Sequence, residues 1–96
     1  MKHIITESGF ECDVNPAIAR DYRTLKTIAA MENQKVDAAE KLVKTMEFIP
    51  LIIGEEGEAR LMEHVQKDGI IDTEAMYDET KEILAKLREE PETKNS

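Results

Sequence analysis

Apolar residues recur along this chain with two different periods, and the change from one to the other divides it. Ile4 and Ile5 precede Glu7-Ser8-Gly9, after which Phe10, Cys12 and Val14 alternate with Glu11 and Asp13. A period of two puts those three side chains on one face of a strand, so residues 1–14 read as a β-hairpin. Two strands are marginal in water by themselves, so Phe10, Cys12 and Val14 must lie against the rest of the chain.

From residue 15 onward the period is that of helices. Asn15-Pro16 is a start signal, with a side-chain acceptor for free N–H groups and a proline preset to helical φ. The first helix carries Ile18, Tyr22, Leu25, Ile28 and Ala29 on one stripe and fades by Asn33-Gln34. Asp37 caps a second helix with Ala39, Leu42, Val43, Met46 and Ile49, running to Ile53 before Gly54. Pro50 removes a hydrogen bond and crowds the preceding turn, which predicts a kink or restart near Phe48-Ile49. Glu55, Glu56 and Glu58 suit the first turn of a third helix, whose stripe is Leu61, Met62 and Val65, with Lys67 in its last turn and Asp68-Gly69 as its stop. Asp72 caps a fourth, with Ile71 and Met76 at the staple positions around that start. Its stripe is Met76, Thr80, Ile83, Leu84 and Leu87, with Glu74, Asp78, Glu79, Lys81, Glu82, Lys86 and Arg88 facing water, and it runs to about Glu89.

The expected architecture is therefore mainly α, in an α+β arrangement: a short N-terminal β-hairpin over 1–14 and four helices over 15–90 form a single domain, and 91–96 is a disordered tail. Composition agrees with a helical core. Aromatic residues make up only 4% of the chain against 41% hydrophobic residues in all, so packing rests on Ile, Leu, Val, Met and Ala.

Charge narrows the partners. A net −8 argues against nucleic acid and anionic membrane, because lysine and arginine neutralising phosphates carry most of that affinity. No apolar run reaches a membrane span, and an acidic residue arrives at Glu7, too early for a signal-peptide core. The single Cys12 has no partner for an internal disulfide, which favours a reducing cytoplasm and a buried structural thiol.

Candidate chemistry fails on spacing. The Asp68-Gly69, Ile71 segment resembles the second half of a calcium loop, but its register puts His64, Gln66 and Ala75 where ligands at positions one, three and twelve belong. His3 and His64 have no second ligand at metal spacing and read as solvated or partly packed side chains. Gly54 and Gly57 surround glutamates that would repel phosphate, and the pairs Glu55/Glu56 and Glu89/Glu90 read as solvated helix ends. No catalytic constellation, cofactor or metal site is expected.

The segment Phe48-Ile49-Pro50-Leu51-Ile52-Ile53 is apolar almost all round, more than one stripe of a surface helix hides. Burial in the chain's own core is one reading, and self-association or a partner groove is the other.

The order of these signals resembles a known family. A short β element leads to Asp21-Tyr22-Arg23, then Leu51-Ile52-Ile53-Gly54 and Glu55-Glu56-Gly57. Leu61-Met62-Glu63-His64 and Lys67-Asp68-Gly69 come next, and an acidic helix and Lys94-Asn95-Ser96 close the chain. Across residues 10–96 this layout looks like the small tail assembly chaperones of long-tailed, non-contractile bacteriophages and prophages. The resemblance implies a non-enzymatic helper in the cytoplasm of the bacterial host. Such a helper binds the tape-measure protein, promotes polymerisation of the tail-tube protein around it, and is absent from the mature virion. A homo-oligomer is compatible with it. A partner helix would need an apolar, adaptable surface, and the soft methionines Met31, Met46, Met62 and Met76 suit one, as they also suit filling an aromatic-poor core. The protein-binding candidates are thus Met46, Phe48, Ile49, Leu51, Ile52, Met62 and Met76. The resemblance also implies a longer product made by frameshifting near Lys94-Asn95, whose codons are A-rich. The alternative is a small acidic regulatory or DNA-mimic protein that inhibits a basic partner, although lysines interspersed among the acids interrupt any phosphate-like stripe.

Overall fold

A computed structural model, which describes residues 1–88, shows a small, mostly helical domain built on a two-stranded hairpin. Its elements are β1 (Lys2–Ile5), β2 (Glu11–Val14), α1 (Tyr22–Glu32), α2 (Ala38–Val65) and α3 (Thr73–Arg88), with a 3-10 turn at Pro16–Arg20. The expected helix end at Glu89, the tail 91–96 and the Lys94-Asn95 site lie outside the described residues.

The hairpin forms as its alternation requires. β1 and β2 pair antiparallel with Ile4 opposite Cys12 and His3 opposite Asp13. The turn closes through the Thr6 and Phe10 backbone and uses Gly9 at φ 96°, a left-handed value open to glycine. Ile4, Phe10, Cys12 and Val14 are buried on one face, while His3, Glu11 and Asp13 share the outer face.

Asn15 does cap, accepting the Ala17 N–H at 3.0 Å, but what it starts is the 3-10 turn rather than the first long helix. Asp21 is extended and recaps the chain, accepting the Arg23 N–H at 2.8 Å, so α1 begins at Tyr22. The Arg23 guanidinium, and then its backbone N–H, hold the Asp21 carboxyl down to about 2. That late start rotates the helix. Thr24 and Ile28 face inward, while Tyr22 and Leu25, expected on the buried stripe, are exposed.

The expected second and third helices run on as one element, α2, so the helical count is three rather than four, and the boundary expected between them at Gly54 survives as a break inside it. α2 keeps helical geometry through Pro50 and departs from it at Gly54, where φ 78° and ψ 167° fall in a region almost restricted to glycine. The kink expected near Phe48-Ile49 does not form, and the break falls instead at Gly54, five residues after Ile49, at the expected stop of the second helix. A proline costs one bond and one clash, which the burial of Phe48, Ile49 and Ile52 overrides, whereas Gly54 can change direction without a Cβ. After the break, Ile53 folds onto Gly57: a Cβ at Gly57 would lie 2.8 Å from the Ile53 Cβ. The helix then ends at Val65, two residues before the lysine expected in its last turn.

α3 matches its expected stripe at every position, with Met76, Thr80, Ile83, Leu84 and Leu87 buried. The same core takes Phe48, Ile49, Ile52 and Leu61 from α2, Ile28 from α1 and the inner face of the hairpin. The Phe48–Ile53 segment is thus mainly core, with Leu51 and Ile53 half-buried against it. The Lys2 ammonium donates to the Lys86 carbonyl at the C-terminal end of α3, where the helix dipole favours a cation.

Candidate protein-binding surface

The break at Gly54 gives α2 two arms, and the arms hold a cleft between them and the start of α3. Met46 and Ile49 come from the first arm, Glu58 and Met62 from the second, Thr73 and Met76 from α3, and Ile71 from the connection. The space they enclose is about 170 Å³. Each residue is positioned by a local rule. Met46/Ile49 and Thr73/Met76 are three residues apart and Glu58/Met62 four, the spacings that share a helix face. Asp72 accepts the Ala75 N–H at 2.9 Å, and this cap brings Ile71 and Met76 together as a staple.

The connection between α2 and α3 adds an apolar ledge. Lys67 and Ile70 exchange backbone hydrogen bonds at 2.8 and 3.0 Å around Asp68 at φ 54° and Gly69 at φ 79°, a two-residue turn with both centres left-handed. It sets Ile70 and Ile71 at the surface, 67% and 40% exposed, while Val43 and Met46 on α2 are 47% and 45% exposed. The sequence pattern puts Val43, Met46 and Ile49 on the buried stripe of the second helix; Ile49 is buried as expected, but Thr45, Phe48 and Ile52 face inward with it in place of Val43 and Met46.

Of the sequence candidates, the cleft unites Met46, Ile49, Met62 and Met76, with Ile49 as a buried floor. Phe48 and Ile52 belong to the core. Phe48 and Leu51 border a different groove of about 310 Å³ between α1 and α2, beside Arg23, Lys26 and Lys44. Met31 lies in a third hollow with Ile28 and Leu84. Sequence reasoning missed Glu58, Ile71 and Thr73 as members. The staple position of Ile71 was the available signal, since a residue packed on Met76 must share its surroundings.

A second cluster joins distant parts of the chain. Thr6 Oγ1 and Ser8 Oγ donate to the two oxygens of Glu79, each at 2.8 Å, and the Glu7 N–H donates to Glu82 at 2.7 Å. Glu79 and Glu82, expected to face water, therefore anchor the hairpin turn to α3. His64 Nε2 lies 2.9 Å from Ser8 Oγ, and its ring packs near Phe10 at 5.5 Å. With the Ser8 proton directed at Glu79, His64 Nε2 meets a lone pair and serves as donor. A serine nucleophile needs the reverse, its proton passing to the imidazole and the acid holding the ring. The arrangement thus works as a latch between turn, α2 and α3.

Two titrating groups are displaced by their surroundings. His3 Nδ1 lies 2.8 Å from Asp13 and Nε2 3.0 Å from Glu11, and these hydrogen bonds, Asp13 first, raise the imidazole above its ordinary value. Burial pushes the Cys12 thiol up, away from the reactive thiolate. Among the described residues no group of three or more His, Cys, Asp or Glu side chains is placed to hold a metal ion, and no helix is long and apolar enough to cross a membrane. Comparison of the chain with protein-family models, with curated proteins and with solved structures returns no match in any of the three.

Proposed function

We propose that this chain is a tail assembly chaperone of a long-tailed bacteriophage or prophage. On this reading it acts in the bacterial cytoplasm, holding an apolar helical stretch of the tape-measure protein until tail-tube subunits polymerise, and it is left out of the virion. The observation that supports the reading is the methionine-lined cleft of about 170 Å³, with Ile71 in its wall and Val43 and Ile70 exposed on the adjoining helix and connection. Thioethers adapt to varied apolar side chains without a fixed shape, as a holder of a long, non-repeating partner requires. The acidic-mimic alternative has less in its favour, because lysines pair within the acidic faces, Lys44 with Glu40 at 3.9 Å and Lys86 with Glu82 at 3.7 Å.

The test is genomic and then biochemical. The gene should lie between a tail-tube gene and a very large reading frame for a helical protein, with a slippery heptamer and an overlapping frame near its end. Co-expressed with that large protein, the chain should co-purify with it and keep it soluble. A different neighbourhood, or a large protein equally soluble alone, would overturn the proposal. Salt-sensitive capture of a DNA-binding protein would favour the mimic instead.

A further inference from the structure

We infer that the cleft between the arms of α2 selects a cationic amphipathic helix, seating one bulky apolar side chain among Met46, Met62 and Met76 and placing a lysine or arginine of the partner against Glu58. The inference rests on the proposal that the cleft receives a helix, and adds which helix.

Size comes first. About 170 Å³ lies below the ~300–1,000 Å³ of small-ligand pockets, so the cleft takes a single side chain as an anchor rather than a whole ligand. The anchor needs neighbours, since one side chain in one slot gives little affinity. Met46 and Ile71 in the slot wall are themselves exposed, and Val43, three residues before Met46 on α2, and Ile70, next to Ile71, add exposed apolar surface on which a helix can lay residues spaced three and four apart.

Charge then chooses among helices. Among the described residues the lining includes Glu58 and no lysine or arginine. Glu58 is a half-buried residue of the cleft wall, so an opposite charge seated in the cleft lies beside an acidic side chain. Glu55 precedes it by about a turn, and Asp72 and Glu74 flank Thr73 on the opposite wall. A second copy of this chain is a poor occupant, because it would bring its own acidic rim and a second net −8. A helix with lysine or arginine one turn from its apolar anchor meets both features at once.

The methionine methyl groups supply the readout. The full chain, labelled at methionine methyls, is titrated with an 18-residue amphipathic helix of leucine and lysine, and separately with the same pattern carrying glutamate for lysine. The leucine–lysine helix should shift Met46, Met62 and Met76 and leave Met31, in its separate hollow, in place. The glutamate version should bind at least tenfold more weakly. Glu58→Gln, checked for an unchanged helical spectrum, should weaken the leucine–lysine helix roughly twofold to fivefold, the range of a partly exposed charge pair. Equal binding of the two helices would overturn the charge selection while leaving the helix-holding function standing. Shifts that miss the three cleft methionines, or no shift at all, would overturn the inference itself. The tape-measure reading is decided separately, by the co-expression experiment.

Discussion

His3 is an exposed residue whose two ring nitrogens both face carboxylates, so the arrangement is satisfied in full only by the imidazolium, which donates from both. The folded value is raised above 6.5, first by the Asp13 hydrogen bond and then by that of Glu11. A raised folded value means the contribution is complete below the unfolded value and is lost as pH climbs through the folded one. Wild type should therefore melt above His3→Gln by a margin that is larger at pH 5.5 than at pH 9; a margin constant or growing with pH would contradict the contact. Thr24 makes a different case. Thr45 and Thr80 donate their hydroxyls to carbonyls one turn back, Lys41 and Met76, both at 2.8 Å. Thr24 lies in the first turn of α1, where the chain four residues back is outside the helix, and its buried Oγ1 has no partner among the described residues. Thr24→Val should stabilise the protein by about 1 kcal/mol, read as a higher urea midpoint at unchanged slope. A lower midpoint would mean that the hydroxyl is satisfied in solution.

α2 shows how an element departs from its propensities. Replacing glycine by alanine inside a helix ordinarily gains about 1 kcal/mol. Gly54 should reverse the sign. At φ 78° and ψ 167° any Cβ is strained, so Gly54→Ala should cost about 1–3 kcal/mol or straighten the arms and open the methionine cleft. Gly57→Ala should also destabilise, by about 1–3 kcal/mol, because its Cβ meets Ile53 at 2.8 Å. The mechanism is checked by a double-mutant cycle: with Ile53→Ala in place, Gly57→Ala should lose most of its cost. Additive costs would locate the strain elsewhere. The chain's punctuation was legible here, since Gly54 and Gly57 stand out at the end of an apolar run. What could not be read was that Pro50 would leave the helix intact and Gly54 alone would turn the chain, because that depends on how firmly Phe48, Ile49 and Ile52 are held by other elements.

The whole molecule closes through its N-terminal hairpin. Thr6 and Ser8 reach Glu79, and Ile4, Phe10, Cys12 and Val14 fill one side of the helical core. Hairpin and helices should then unfold together. Ile4→Ala removes a side chain that is 2% exposed and should cost about 2–5 kcal/mol, and it should lower the melting of the helical circular dichroism signal although it lies in a strand. Helices melting at an unchanged temperature would make the hairpin an appendage. The same closure leaves Cys12 3% exposed, in keeping with its reading as an inert buried thiol.

The sequence by itself determined the local rules: the hairpin's alternation, the caps at Asn15, Asp37 and Asp72, the left-handed Gly69 and the full stripe of α3. These depend on residues within a turn or two, so spacing suffices to read them. Only the tertiary structure decided which faces of α1 and α2 turn inward. Threonines at positions 24 and 45 are buried while Tyr22, Leu25, Val43 and Met46 stay out, an outcome set by a recapped start at Asp21 and by the packing of distant elements. The cleft belongs to that second kind. Its residues are up to thirty positions apart, from Met46 to Met76, and they meet because Gly54 folds one arm of α2 back beside the start of α3.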